Sequence, residues 1–341
     1  MEEWEALWAS ERAAIVARIK ENGWGLQADG KTITGPEGFT IDLTRCAAGW
    51  SNTEGITDTE FKVGQSIAQS GTLADYGNYA KAIDALVGHY GDEGMFVDSE
   101  GKTRTMNYVV KDDGYDPART IPIVDELLDA EKSFAIWTLG TGPTMKTYDK
   151  LNQRCVPNLI AMTGHPAWGD PVNHPWTSGA PVPSYTTETQ LWGTFIEQRA
   201  ADYPDKIKVA SLVMNNDFGK VYDAGFKAYL AQSDVLRDKV EYITETIEPQ
   251  APTITDPMTT LASKEPDFFI AMVAGTPCTQ AVTEAAQNGM KENVEYLFQP
   301  LTCAGTSFVS KDDPQSSSSL GNGFGYAFPF VQSLLIAQEL D

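Results

Sequence analysis

The chain has 341 residues, 42% hydrophobic and 21% charged, the composition of a folded protein long enough for two ordinary cores. Its net charge of −22 at pH 7 repels phosphate backbones and anionic lipid, which argues against nucleic-acid and membrane-surface partners. No apolar run approaches the length that spans a bilayer.

The N-terminal run MEEWEALWASERAAIV lacks a basic segment followed by an apolar one, so it is not a signal peptide; either the protein is cytoplasmic or the chain begins after its export signal. Glu3–Asn22 reads as an amphipathic helix with Trp4, Leu7, Trp8, Ile15 and Ile19 on one stripe and Asn22-Gly23 as its stop. Leu26–Trp50 is short and turn-rich, the pattern of a hairpin-bearing extension. It contains Gly25-Leu-Gln-Ala-Asp-Gly30-Lys31-Thr32, a literal phosphate-loop match in the wrong context. Such a loop follows a strand and opens a helix, whereas here a helix precedes it and Asp29 would repel phosphate, so a hairpin turn on Asp29-Gly30 is expected.

From Thr57 onward strands alternate with helices, which implies parallel sheets built of βαβ units. Strands are expected at Phe61–Ile67, Met106–Lys111, Phe134–Leu139, Leu159–Met162, Lys208–Met214, Glu241–Ile247, Phe268–Val273 and Val294–Gln299. Helices are expected at Asn78–His89, Ala118–Ala130, Pro143–Gln153, Thr187–Ala201, Lys220–Ala231 and Pro277–Asn288. The Pro-rich run Gly164–Tyr185 suits a crossover between two domains. Strand–Gly140-Thr141-Gly142-Pro143–helix is echoed by strand–Gly275-Thr276-Pro277–helix, with proline at the first helical position of both, so two similar lobes would set these loops on opposite walls of one cleft.

Two consecutive strands, ending at Gly140-Thr141-Gly142 and at Thr163-Gly164-His165, form the crevice where open α/β sheets take ligands. Free N–H groups at the helix start suit a carboxylate. The three histidines follow no metal spacing, no Gly-x-Ser-x-Gly elbow is present, and Asp112-Asp113 and Asp312-Asp313 read as solvated surface. No cofactor is expected. Cys46, Cys155, Cys278 and Cys303 lack CxxC spacing. Cys278 and Cys303 follow neighbouring strands within bridging reach, so the cysteines are either disulfides Cys278–Cys303 and Cys46–Cys155 or buried free thiols; disulfides favour an extracytoplasmic location.

GITDTEFKVGQSIAQSGTLADYGN (55–78), VKDDGYDPARTIPIVDELL (110–128), TLGTGPTMKTYDKLNQRCVPNLIAMTG and VASLVMNNDFGKVYDAGFKAYL (209–230) together resemble the substrate-binding proteins of branched-chain amino acid-type ABC importers, over roughly Gly55–Val309. The resemblance implies an α/β chain of two doubly wound parallel-sheet lobes joined by a hinge, of the first periplasmic-binding-protein type. It implies a monomer in the periplasm or on the cell surface that delivers a small carboxylate to a membrane permease. The expected division is an extension at 1–54, lobe 1 at 55–178 plus 322–341, lobe 2 at 179–310, and a Ser-rich linker at 311–321. By position, Tyr76 would lie over the ligand, Gly140 and Thr141 would take its carboxylate, and Thr163, Gly164 and His165 would add contacts. On the second lobe Phe218 stands at a stacking position, and Tyr185, Thr276 and Thr302 complete the candidate set.

Two departures stand out. The family's amino-acid binders carry an acid after the Val294–Gln299 strand to hold the α-ammonium, where this chain has Pro300-Leu301-Thr302-Cys303, so a carboxylate without the ammonium, aromatic or aliphatic, is expected. The chain after Val309 is also shorter than the family provides, running from SKDDPQSSSSLGNG into the helical stretch Phe324–Leu340, as in a truncated or internally deleted chain. An enzyme on this scaffold lacks a placed nucleophile, base or metal cluster, and a ligand-sensing regulator lacks a basic helix-turn-helix.

Overall fold

The computed structural model describes residues 2–98, 100–303 and 317–340. Helix α1 (Glu2–Asn22) precedes an antiparallel ribbon of β1 (Gly25–Leu26), β2 (Thr32–Thr34) and β3 (Thr40–Asp42). The literal phosphate-loop match is the β1–β2 turn. There Asp29 accepts the Lys31 and Thr32 N–H groups at 2.8 and 3.0 Å, so its carboxylate caps a hairpin instead of leaving room for an anion.

The first lobe follows as β4 (Glu60–Ile67), α2 (Gly77–Asp92), β5 (Thr105–Asp112), α3 (Pro117–Asp129), β6 (Ala135–Thr138), α4 (Thr141–Arg154), β7 (Asn158–Ala161) and β8 (Thr177–Gly179). Strand β4 is the central parallel strand between β5 and β6. The Leu139–Met162 bridge joins β6 to β7, and β7 pairs with β8. The second lobe contains α5 (Tyr185–Gln198), β9 (Ile207–Met214), α6 (Asp217–Gln232), β10 (Val240–Ile247), α7 (Thr255–Ala262), β11 (Phe268–Met272), α8 (Thr276–Gln287), α9 (Met290–Asn293) and β12 (Tyr296–Phe298). Its parallel order is β10-β9-β11-β12, the same winding as β5-β4-β6-β7 in the first lobe. The reversal of winding beside β4 and beside β9 opens a crevice at the strands' carboxyl ends.

Burial explains why these runs are strands. β11 is fully enclosed and is apolar throughout, as a central parallel strand covered on both faces must be. Side-chain caps start the helices: Asp116 accepts the Ala118 N–H at 2.9 Å for α3, and Asn216 accepts the Gly219 N–H at 3.0 Å for α6.

Several expectations are corrected. Helix α4 begins at Thr141, which puts Pro143 in the first turn and not at its first position. The Pro-rich run is partly a strand: β8 still belongs to the first sheet, and the chain leaves for α5 only at Ala180–Ser184. Helix α10 spans Ser317–Leu340, so residues 317–321 are helical, while 304–316 lie outside the described residues. The α1 stripe is only half covered. Trp8 meets Phe328 at 4.6 Å and Arg12 donates to Gln332 at 2.7 Å, but Trp4, Leu7 and Ile15 are exposed, because α10 packs on the Trp8–Arg12–Val16 side. Among the described residues no helix is long and apolar enough to cross a membrane.

All four cysteines form disulfides, Cys46–Cys155 and Cys278–Cys303, each with Cα atoms 5.5 Å apart. Cys155 ends α4 in the left-handed conformation, and its carbonyl accepts the Trp50 indole N–H at 3.1 Å, so this bridge pins the hairpin extension to the first lobe. Because 109 residues separate these cysteines, the bridge removes a large loop entropy from the unfolded chain. Replacing both by serine is expected to lower stability by about 2–5 kcal/mol in denaturant titration. Peptide mapping of unreduced protein should recover both bridges.

Candidate functional site

A cavity of about 250 Å³ lies where the carboxyl ends of the two sheets face each other. From the first lobe, the loop after β4 supplies Tyr76, α2 supplies Tyr79, and the loop after β5 supplies Tyr115. Leu139, Gly140, Met162 and Gly164 follow from the ends of β6 and β7. The crossing segment gives Pro181, Val182 and Pro183. The second lobe gives Tyr185 and Glu188 from α5, Phe218 from α6, Ala274 after β11, and Leu301 and Thr302 after β12. Among the described residues, no Lys, Arg or His stands in this lining.

The tyrosine hydroxyls close the polar groups of the helix starts. The Tyr115 hydroxyl faces the Thr141 N–H, and the Tyr185 hydroxyl faces the Thr141 and Thr163 side chains and the Gly164 N–H. The Thr141 and Thr163 hydroxyls are 2.8 Å apart and buried. Tyr76 receives the Gly275 N–H at 3.3 Å and donates to the Thr302 carbonyl at 3.2 Å. Burial pushes all three phenols upward, so they act as neutral donors and acceptors.

Tyr115 is placed by Asp113, which is fully buried and not on the surface as its sequence suggested. The Asp113 carboxylate accepts Ser66 Oγ at 2.7 Å, Thr120 Oγ1 at 3.0 Å and the Tyr115 N–H at 2.8 Å, holding Tyr115 in a left-handed backbone (φ 62°). The ring then lies against Gly140. A Cβ there would come within 2.2 Å of the ring, and φ is +94°, so both space and backbone require glycine.

Among the described residues, Glu188 is the one acid in the wall. It accepts the Leu301 N–H at 2.7 Å and the Tyr222 hydroxyl, and burial raises its pKa above the usual carboxylate range. Tyr222 in turn stacks on Tyr185 at 4.5 Å, and Phe218 meets Tyr185 edge-on at 5.2 Å.

Of the residues singled out in the sequence, Tyr76, Gly140, Gly164, Tyr185, Phe218 and Thr302 come together in the lining. Thr141 and Thr163 sit behind it, joined to each other and to Tyr185. His165 caps the turn Pro166–Gly169, its Nδ1 accepting the Ala167 N–H at 3.1 Å, and burial lowers its pKa. Thr276 donates to the Thr72 carbonyl at 2.9 Å, across the gap between the lobes. His174 pairs with Asp149 at 2.8 Å, and among the described residues no cluster of three or more His, Cys, Asp or Glu could hold a metal.

Sequence reasoning missed Tyr79, Tyr115 and Glu188. A signal for the last was present: Glu188 is three residues beyond Tyr185, hence on the same face of α5. It also removes the ground on which an acid-free cleft was expected, since its carboxylate lies against Leu301, where the family's acid was looked for.

A search of curated proteins found no match. Among solved structures, a fatty acid ABC transporter substrate-binding protein from Thermomonospora curvata superposes with a TM-score of 0.65 at 18% identity, covering 89% of this chain and 84% of that one. A branched chain amino acid ABC transporter protein from Thermus thermophilus with bound valine gives 0.64 at 17% identity, with coverages of 82% and 79%. A solute binding protein from Rhodopseudomonas palustris BisB5 in complex with 3,4-dihydroxy benzoic acid gives 0.60 at 16%, with 83% and 79%. At these identities the likeness is one of fold. The family model described as periplasmic binding protein matches residues 60–306, which hold both parallel sheets and the residues that line the cavity between them, and the chain therefore belongs to the periplasmic binding protein family.

Proposed function

We propose that this protein is the extracytoplasmic solute-binding protein of an ABC importer, closing two lobes on a small carboxylate and delivering it to a membrane permease. The observation that carries this reading is the cavity itself, small, aromatic and lined from both lobes at the carboxyl ends of their strands. Valine, a fatty acid and 3,4-dihydroxybenzoic acid, the solutes in the descriptions of the three structural neighbours, are all carboxylates. The two disulfides fit an oxidising compartment.

Among the described residues no cation stands in the wall, and neutral donors hold the carboxylate. The Tyr115 and Tyr185 hydroxyls face the start of α4, in front of the paired Thr141 and Thr163 hydroxyls, and can turn to donate to a ligand oxygen. Phe218 and the tyrosines give faces for an aliphatic or aromatic body. Glu188 accepts a donor at the other end, so an α-ammonium is again admissible and amino acids stand beside aromatic acids as ligands.

Titration with valine, 3,4-dihydroxybenzoate and octanoate, followed by melting temperature, tests the reading. At a hundredfold excess over Kd, a bound acid adds about 2.7 kcal/mol of stability. If uncharged or purely cationic solutes bind and the three acids do not, the carboxylate reading fails. For an acid that binds, Thr141→Ala should cost about 0.5–1.5 kcal/mol of affinity by calorimetry, because it removes the hydroxyl paired with Thr163 behind the wall. Unchanged affinity would remove Thr141 from the site.

Glu188 also makes stability pH-dependent. Its folded pKa is raised by burial, so its contribution is complete below the unfolded carboxylate range of about 4 and is lost as pH rises through its folded pKa. Denaturant titrations at several pH values should therefore show wild type losing ground to Glu188→Gln as pH increases. A constant difference between the two would mean that Glu188 does not titrate in this way.

A further inference from the structure

Outside the cavity, at the solvent-facing rim, a second set of contacts joins the lobes. Gln250 lies just beyond β10, the edge strand of the second sheet. Its side-chain oxygen accepts the Thr72 N–H at 3.3 Å, and its amide donates to the Gly114 carbonyl at 3.1 Å. One side chain of the second lobe therefore binds the backbone of two first-lobe loops, those following β4 and β5. The Thr72 hydroxyl adds a bond to the Pro249 carbonyl at 2.7 Å. The first-lobe loop is shaped for this contact. Gly71 has φ +77°, and a Cβ on it would stand 2.7 Å from the Gln250 oxygen, so a larger residue would strain the backbone and displace the Gln250 amide from its partners.

We infer that Gln250 is a positioning residue that latches the lobes shut without ligand and so sets affinity through the open–closed equilibrium. It touches no residue placed in the cavity wall except through the loops that carry Tyr76 and Tyr115. Its three partners are backbone or hydroxyl groups of the opposite lobe, so its hydrogen bonds exist only when the lobes are together. In the open state all these groups return to water. The latch therefore contributes the difference between protein–protein and protein–water bonds, which is small per bond but acts wholly on one equilibrium. A protein whose binding geometry is preassembled loses less affinity to the population of incompetent states. The inference rests on the two-lobed binding reading and names what tunes that site.

Single-molecule energy transfer between dyes at the exposed positions 81 and 264, one on each lobe and introduced without cysteine chemistry so that both disulfides stay intact, reads the equilibrium with no solute present. Wild type is expected to populate mainly the high-transfer state. Gln250→Ala should raise the open-to-closed ratio about tenfold, the scale of one or two exposed hydrogen bonds. Gln280→Ala is the control, because Gln280 donates only to Pro252 of its own lobe, at 3.2 Å. Melting temperatures within a few degrees of one another establish that all three chains fold. A gain of open state in Gln250→Ala alone supports the latch. An unchanged distribution, a gain shared by the control, or a wild type that is mainly open overturns it. Because no ligand enters the experiment, a failed ligand screen leaves this test standing, and failure of the latch leaves the transport reading untouched.

Discussion

The cleft depends on one constraint: a tyrosine hydroxyl taken out of water must find partners or cost several kcal/mol. Tyr76, Tyr115, Tyr185 and Tyr222 are all buried around one small cavity, and each sets its hydroxyl against an element other than its own. Tyr115 and Tyr185 face the start of α4, Tyr222 bonds to α5, and Tyr76 reaches across to the second lobe. Satisfying the hydroxyls therefore fixes the relative positions of helices and lobes, and the aromatic rings that come with them line the space left between. Shape and polarity of the site follow from the same set of bonds.

The acids divide by the same rule. Asp113 and Glu188 are enclosed, and each survives burial by accepting bonds from several donors, three for Asp113 and two for Glu188. Asp113 uses them to hold a strained tyrosine in place, whereas Glu188 remains part of the wall. Most of the other acids of this strongly anionic chain stay at the surface, where hydration costs nothing.

The periodic features were legible in the residues. Eight strands and six helices of the two lobes follow from alternation, apolar runs and cap residues, and each lies within a few residues of its expected bounds. The strand order, in contrast, came only from the structure, because right-handed crossovers restrict the alternatives without choosing among them. What escaped were elements too short to carry a period, β8 and α9 among them, and the uncovered side of α1, whose stripe suits burial but leaves Trp4, Leu7 and Ile15 exposed.

The sequence by itself determined the class of fold and the loops at strand ends, because these depend on neighbours along the chain, while the choice between disulfides and free thiols was left to the tertiary structure. The sequence also named six of the sixteen residues that meet in the cavity. Only tertiary structure decided that Glu188 faces Leu301, that Asp113 is buried, and that Thr141 and Thr163 stand behind Tyr185. These outcomes depend on which side chain reaches a shared space first, and on donors brought there from residues as far apart as Glu188 and Leu301. Such pairings have no periodic signature along the chain; they arise when packing excludes water and each buried polar group must take the partner that folding puts within reach.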